Sequence, residues 1–201
     1  MNIARYWLFK FTNLTSEYAN WEQINENTVL QTAQAYTMKG SGIATPPAIA
    51  TQNYVFSGKP NNGLINHSGI QIGINNINLI GNPYPSALDA DVFLKDNMDV
   101  LKGTLYFWTH NTPFANKYIS DDYAVYNLLG GVGTRAAMAS GENETLPDGK
   151  IASAQSFFVQ SLIAGEVKFE NSMRIMENNS LFFRPSKSTR KRKPSTNNPL
   201  T

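Results

Sequence analysis

Three short sequence patterns occur twice in this chain, in the same order. Each copy has an aromatic strand pattern, a strand pattern that opens with Ala-Gln, and an alternating strand pattern that ends on Phe. The first copy consists of residues 5–11, 32–38 and 53–58, and the second of residues 105–109, 153–159 and 166–171. A repeat of this length predicts two related all-β halves, although short aromatic strands also resemble one another by chance.

The repeat defines the expected fold. We predict a mainly β domain over residues 1–183, in which two related β-sheet halves (about 1–75 and 100–183) pack as a sandwich of the jelly-roll or immunoglobulin-like kind, with one or two short helices. Residues 184–201 contain Ser, Thr, Lys, Arg, Pro and Asn and have little to bury, so we expect a basic disordered linker or tail.

Local signals place several turns and helices. Asn62-Gly63 is typical of a type I′ hairpin turn, which needs positive φ at both central residues. Ser86 is a candidate N-cap for a short helix over residues 87–96. Tyr18, Trp21 and Ile24 recur every three residues, which indicates one or two further helical turns.

Composition excludes several classes of protein. The chain has 201 residues, with 41% hydrophobic and 11% aromatic residues, which is typical of a folded protein. Cysteine is absent, so disulfides, cysteine zinc sites, iron–sulfur clusters and thiol nucleophiles are excluded. Charged residues make up only 16%, and a low-charge, Asn-rich β profile is common in extracellular bacterial proteins.

The charge distribution argues against nucleic-acid binding and the hydropathy against membrane insertion. The net charge is +2, but six of the 17 basic residues lie from Arg184 onward, where no acidic residue occurs. The remaining body is therefore weakly acidic, unlike a nucleic-acid-binding surface. No stretch reaches the roughly 18 apolar residues that span a bilayer. The first residues lack a signal-peptide pattern, so we expect that an exported form would be part of a longer protein.

No catalytic constellation is evident. His67 and His110 are the only histidines and lack the spacing of a zinc site, so we expect both to be polar loop residues. No Gly-x-Ser-x-Gly nucleophile elbow occurs, and the Gly-rich sequence at 130–133 lacks the Lys-Ser/Thr of a phosphate loop. We therefore assign no catalytic residue and expect no enzyme. A glycoside hydrolase is the enzymatic alternative, and it would need two carboxylates across one cleft.

Two acidic pairs are candidate calcium ligands. Asp89 and Asp91 form one pair, and Asp121 and Asp122 form the other. Calcium binds hard oxygen ligands from Asp, Asn and backbone carbonyls, which are plentiful here. The alternative for Asp89 and Asp91 is the first turn of a short helix, where negative charge is favourable. Apart from this calcium, we expect no cofactor.

Aromatic residues in predicted loops are candidate sugar-binding residues. Trp21, Tyr84 and Tyr118 lie outside the clearest strand patterns and could stack on the apolar faces of sugars. Aromatic residues of β-proteins more often belong to the core, which is the alternative.

Several segments together resemble a known kind of bacterial module. They are residues 33–40, 56–63, 78–90, 103–110, 123–127 and 149–159. They resemble a module of large secreted cell-surface proteins of Bacteroidetes bacteria, which typically end in a type IX secretion C-terminal sorting domain. The sequence Gly-Asn-Pro-Tyr-Pro-Ser at 81–86 is the most specific element. The resemblance implies export and a place in a multidomain, adhesin-like protein, and it carries no catalytic residues.

The combined expectation is a non-enzymatic structural or adhesive module of a larger extracellular surface protein. The alternative is a carbohydrate-binding module, with or without calcium. Expected partners are neighbouring domains of a longer chain and, in the alternative, glycans; nucleic acid and membrane insertion are not expected.

Overall fold

The part of the chain that the structure describes contains thirteen strands and one α-helix. The computed structural model describes residues 5–13, 21–38, 55, 57–73, 75–108, 123–132 and 146–176. In chain order the elements are β1 Phe9–Phe11, β2 Trp21–Gln23, β3 Tyr36–Thr37, β4 Ile65–Ile70, β5 Ile77–Gly81, β6 Ala87–Asp89, α1 Ala90–Asp96, β7 Leu101–Trp108, β8 Tyr123–Asn127, β9 Gly130–Val132, β10 Lys150–Ile151, β11 Ser156–Ser161, β12 Gly165–Phe169 and β13 Arg174–Ile175. Two 3-10 helices, Arg5–Trp7 and Asn171–Met173, also lie in this part. The predicted mainly β fold is confirmed, and the structure builds it from several antiparallel sheets.

One layer of the fold is a large antiparallel sheet. Five strands pair in the order β5-β11-β7-β8-β9, and a three-stranded sheet has the order β2-β1-β3. An antiparallel bridge between Gln34 and Ile80 connects the smaller sheet to the side of β5 that β11 leaves free. A bulge between Val159 and Ser161 shifts the register of β11 against β7.

The second layer consists of two small sheets and α1. The sheets have the orders β12-β4 and β10-β6-β13. Phe93 of α1 packs edge-on against Phe157 of β11, with ring centroids 5.6 Å apart, and stacks on Phe169 of β12 at 5.1 Å. All three rings are buried, so these contacts join both layers around one core.

Alternation along β11 sets which face of the large sheet is inner. Phe157 and Val159 are fully buried, whereas Phe158 and Gln160 are only partly buried. The same alternation places Leu105 and Phe107 of β7 inside. Because side chains of a strand point alternately to opposite faces, the large sheet has one core face and one outer face.

The strands of the two proposed halves pair with each other. β4 pairs with β12, so a strand of the first half and a strand of the second half share one sheet. β5, which pairs with β11, lies between the two proposed halves. Half of the first copy's third pattern (residues 53–58) and all of the proposed tail, residues 184–201, lie outside the described residues.

Two segments near the start differ from prediction. Arg5–Trp7 forms a 3-10 helix, not the beginning of a strand. The rings of Tyr6 and Trp7 are 4.9 Å apart, which successive residues of a strand cannot achieve because they point to opposite faces. Trp21 lies in strand β2 and not in a helical turn, because it pairs with Phe11 of β1.

Two capping and turn predictions were also wrong. The helix α1 begins at Ala90 with Asp89 as its N-cap, because Asp89 accepts hydrogen bonds from two backbone N–H groups. Ser86 instead accepts a hydrogen bond from the Arg174 side chain. Gly63 has a positive φ of 81°, but Asn62 does not share it, so the pair forms no type I′ turn.

Among the described residues, no helix is both long enough and apolar enough to span a bilayer.

Candidate functional site

Residues 81–86, which we call the proline turn, are held by internal hydrogen bonds. The Asn82 side chain is buried, and its Nδ2 donates to the carbonyls of Ser86 at 2.8 Å and of Ile151 and Ala152 at 3.1 Å. Its Oδ1 accepts the backbone N–H of Tyr84 at 3.0 Å. Both ends of the amide are therefore used by the fold.

Tyr84 lies in the core and not on the surface. Its side chain is 1% exposed, and its hydroxyl donates to the Gly63 carbonyl at 2.6 Å. Ser153 Oγ donates to the Tyr84 carbonyl at 2.7 Å. Burial raises the pKa of the phenol, and the nearby Arg174 charge opposes part of that rise. The prediction of Tyr84 as a sugar-stacking ring is wrong, because its ring is covered on the folded chain.

A cleft with three carboxylates lies beside α1. The cleft has a volume of about 430 Å³. It is lined by Asp89, Asp91, Tyr126, Asp148, Gly149, Lys150, Ile175 and Met176. Strands β6, β8, β10 and β13 bring these residues together from distant parts of the sequence. We call this feature the acidic cleft.

Each carboxylate of the acidic cleft accepts at least one internal hydrogen bond. Asp89 Oδ1 accepts the N–H groups of Asp91 and Val92 at 2.9 and 3.1 Å, as an N-cap does. Asp91 Oδ1 accepts the Tyr126 hydroxyl at 2.8 Å, and Asp148 Oδ1 accepts the Lys150 N–H at 3.1 Å. The helix-start alternative for Asp89 and Asp91 thus describes their positions.

Tyr126 forms one wall of the acidic cleft. Burial, the hydrogen bond to Asp91 and the surrounding negative charges raise the pKa of Tyr126 to about 12. Gly149 is in contact with this hydroxyl and has a φ of 80°, so a Cβ there would overlap the Tyr126 side chain. The tyrosine therefore donates to Asp91 throughout the neutral pH range.

The structure describes only one of the two acidic pairs that we predicted as calcium ligands. Asp121 and Asp122 lie outside the described residues. Within the described part, no three His, Asp or Glu side chains come close enough together to hold a metal ion. Asp89 and Asp91 share the acidic cleft with Asp148, and each retains a second carboxylate oxygen beyond the bonds above.

The outer face of the large sheet carries a cluster of aromatic rings. Phe158 lies at its centre, with ring centroids 5.4 Å from Phe11, 6.3 Å from Trp21 and 5.8 Å from Tyr123. Phe11 and Trp21 are themselves 5.1 Å apart, and all four residues are partly exposed. The rings meet at interplanar angles of 68° to 88°, edge to face. We call this group the aromatic cluster; it contains one of the predicted sugar-stacking residues, Trp21, whereas Tyr118 lies outside the described residues.

His67 is not the loop residue that we expected. It lies in β4 with 4% of its surface exposed, and Nδ1 is 3.0 Å from the Thr32 carbonyl. A carbonyl only accepts, so Nδ1 donates and carries the proton. Burial lowers the pKa of the imidazole. His110 lies outside the described residues.

A comparison with protein families identifies the chain at the level of its family. A family model described as a domain of unknown function (DUF8693) matches residues 1–198. The chain belongs to the DUF8693 family. Searches of curated proteins and of solved structures gave no significant match.

In this DUF8693 chain, several residues of interest escaped the sequence analysis. Asp148 and Tyr126 join the acidic cleft, and Phe158 centres the aromatic cluster. Residues 147–149 have the sequence Pro-Asp-Gly, which is typical of a turn, but nothing in the sequence places this turn beside Asp89. That juxtaposition depends on β10 pairing with β6 across about sixty residues of sequence.

Proposed function

We propose that this chain is a non-enzymatic structural or adhesive module of a larger extracellular surface protein. One observation carries the proposal: the most distinctive sequence of the chain, the proline turn, uses its polar groups inside the fold. Asn82 joins the turn to the residues around β10, and Tyr84 joins it to the loop at Gly63. A motif whose polar groups form hydrogen bonds between distant segments is typical of a module that has a structural role.

The contacts within the acidic cleft support the same proposal. Asp89 caps α1, and Asp91 holds the Tyr126 hydroxyl. Lys150 lines the same cleft, and its positive charge offsets part of the negative charge of the three carboxylates. These contacts give the acidic residues roles in the fold that need no substrate.

An extracellular location in a secreted bacterial surface protein is part of the proposal. It follows from the Asn-rich, low-charge composition and from the resemblance centred on residues 81–86. Neighbouring domains of a longer chain are the partners that such a module would contact.

The experiment that tests this proposal is an activity and binding screen of the full chain. Release of reducing ends from a panel of polysaccharides is measured together with binding to a glycan array, once with calcium and once with a chelator. We expect no hydrolysis. Hydrolysis that is lost in Asp91→Asn, but kept in a control variant such as Asn127→Asp on β8, would show instead that the acidic cleft is catalytic.

A carbohydrate-binding module is the second candidate, and the aromatic cluster is the observation that favours it. Trp21 and Phe158 are partly exposed on one sheet face, and aromatic rings at such positions bind the apolar faces of sugars. The edge-to-face packing presents no single flat platform, so one or two sugar rings would bind more readily than a long flat chain. Calcium could contribute through Asp89 and Asp91 in a calcium-dependent form of this candidate.

Matched tryptophan variants test the second candidate. Any neutral oligosaccharide found on the array should lose binding in Trp21→Ala. Trp7→Ala is the control, because Trp7 is also surface-exposed but lies in the 3-10 helix outside the aromatic cluster. Equal binding by both variants would exclude the aromatic cluster, and loss of binding with the chelator would implicate the predicted calcium ligands.

A further inference from the structure

Arg174 of β13 is held in one orientation by neutral groups. Its guanidinium lies over the buried Tyr84 ring, with Cζ 5.2 Å from the ring centroid. Nε donates to Ser86 Oγ at 2.9 Å, and Nη1 donates to Asn62 Oδ1 at 2.8 Å. Nη1 also donates to Asn171 Oδ1 at 3.3 Å. A guanidinium that donates three hydrogen bonds and packs along one face against a ring has little freedom to change its orientation.

No acceptor of Arg174 carries a negative charge. Among the described residues, no carboxylate forms an ion pair with Arg174, and its Nη2 has no hydrogen-bond partner. Glu170 is the acidic side chain whose charge, like that of Arg174, influences the pKa of Tyr84. Glu170 is exposed to solvent. The positive charge is thus positioned without an internal counter-charge.

The hydrogen bonds from Arg174 determine how the side-chain amides of Asn62 and Asn171 are oriented. Guanidinium groups only donate, so the Oδ1 atoms of Asn62 and Asn171 must face Arg174. Asn171 Oδ1 accepts a second donor, the Gly63 N–H, at 3.0 Å. The amide nitrogens of both asparagines therefore face away from the guanidinium. Of the residues that line the neighbouring cavity, Arg174 and Asn171 thus keep Nη2 and the amide nitrogen as donors for a ligand, which favours an acceptor-rich, negatively charged partner.

A small cavity lies beside Arg174. Its volume is about 280 Å³, and it is lined by Ser86, Asn171, Arg174, Ile175 and Met176. We infer that this cavity, the Arg174 cavity, binds one oxyanion group of a ligand, a carboxylate or a sulfate. The size suits a single functional group better than a whole drug-sized molecule. If the chain binds glycans, as in the second candidate function, those glycans would be acidic ones. Only the identity of the ligand as a glycan rests on that candidate function.

The probes that test the inference are sodium galacturonate, sodium sulfate and uncharged galactose. The full chain is titrated with each while chloride keeps the ionic strength constant, and backbone amide shifts are followed by NMR. We expect saturable shifts near Gly63 and Asn171 with galacturonate and with sulfate, and none with galactose. A response to galacturonate alone would assign a carboxylate source, and a response to sulfate alone a sulfate source. Saturation by neither anion, or an equal response to galactose, would overturn the inference.

Asn171→Asp separates binding from folding. Aspartate can still accept the hydrogen bonds from Gly63 and Arg174, so the fold is kept, but its charge neutralises the guanidinium and removes the Nδ2 donor. We expect the affinity for the anion to fall at least about tenfold, the scale of a lost charge-assisted hydrogen bond. Asn127→Asp is the matched control, because Asn127 Oδ1 also accepts a backbone N–H, that of Leu129, and the added charge lies on β8.

Three outcomes decide the inference. Loss of binding in Asn171→Asp with retention in Asn127→Asp supports it, and equal binding by the two variants overturns it. If Asn171→Asp fails to fold, Asn62→Asp repeats the test at the exposed acceptor of Nη1. Detection of hydrolysis would remove the proposed function without affecting these titrations, so the two can fail independently.

Discussion

Ala33 and Ala154 occupy the same position in two matching turns. Both have left-handed backbone conformations, with φ of 67° and 59°. Each is followed by a glutamine whose backbone N–H donates to a carbonyl three residues earlier and whose Oε1 accepts the N–H of that same residue. The hydrogen-bonded pairs are Gln34 with Gln31, at 3.0 and 3.1 Å, and Gln155 with Ala152, at 3.1 and 3.0 Å. Positive φ at the third residue is the geometry of a type II turn.

The two turns lie on either side of the end of β5. The Gly81 N–H donates to the Ala33 carbonyl at 2.9 Å, and the Asn82 N–H donates to the Gln155 carbonyl at 3.0 Å. The Ala-Gln pattern that appeared twice in the sequence thus forms the same structure twice, around one shared strand. Both copies of this turn lie against the proline turn.

Ala154→Gly should stabilise the protein. A non-glycine residue in the left-handed region costs about 1 kcal/mol, and Ala154 is exposed, so glycine relieves the backbone strain without removing buried surface. We expect the free energy of unfolding to rise by roughly 0.5 kcal/mol, after the entropic cost of glycine, in urea denaturation. Ala33→Gly should gain less, because Ala33 is buried and loses its methyl contacts. Equal gains at both sites would contradict this explanation.

Gln155→Ala should cost more than Gln34→Ala. Both side chains accept one backbone N–H, but Gln155 is 7% exposed and Gln34 is only partly buried. Removal of Gln155 leaves the Ala152 N–H buried without a partner, which costs about 1–3 kcal/mol. Water can replace the Gln34 contact. Urea unfolding of the two variants measures the difference, and a larger loss in Gln34→Ala would show that burial does not govern this turn.

The protein should lose stability as the pH falls below about 6.5 because of His67. Its pKa is lowered in the folded state by burial, so the unfolded chain binds a proton more readily. The folded state is therefore favoured above the unfolded pKa and loses stability as the pH falls towards the folded value, by at most about 1.4 kcal/mol per pH unit. Urea unfolding at pH 7.5 and 5.5 measures the slope.

His67→Asn is the variant that assigns this slope. Asparagine retains a donor near Nδ1 for the Thr32 carbonyl but does not titrate. The variant should be less stable at pH 7.5, because it loses buried ring surface, and its stability should change less between the two pH values. An unchanged slope would assign the pH dependence to other groups, such as His110.

Alkaline titration should reveal Tyr126 as a tyrosine that ionises late, at about pH 12. The folded pKa is about 12, and the usual value is about 10, so stability is fully present below pH 10 and is lost as the pH rises towards 12. Tyr126→Phe should remove one late component from the tyrosinate absorbance. It should also lower the free energy of unfolding by about 1 kcal/mol through loss of the bond to Asp91. An unchanged late component would show that Tyr126 ionises earlier.

The sequence predicts features that depend on local patterns. The strand pattern predicted at 153–159 overlaps β11, and the pattern at 166–171 overlaps β12. The mainly β fold and the short helix expected over residues 87–96, observed as α1, followed from the same kind of pattern.

Features that depend on pairing between distant segments were not predictable in this way. Trp21 shows helical spacing, yet its pairing with Phe11 makes it part of a strand. Ser86 is a reasonable N-cap by sequence, but Arg174 takes its hydroxyl oxygen, 88 positions along the chain. The burial of Tyr84 likewise depends on Gly63 and Arg174, which no local pattern connects to the proline turn.

The most direct test of the central claim is the unfolding free energy of Asn82→Ala in urea. The claim is that the proline turn serves the fold, and Asn82 is its most connected side chain. We predict a loss of roughly 3 kcal/mol, because the buried carbonyls of Ile151 and Ala152 lose their donor. Asn127→Ala, which removes one exposed contact, should lose less than about 1 kcal/mol. If Asn82→Ala unfolds like Asn127→Ala but selectively loses a bound ligand, the turn is a binding site and the structural account is wrong.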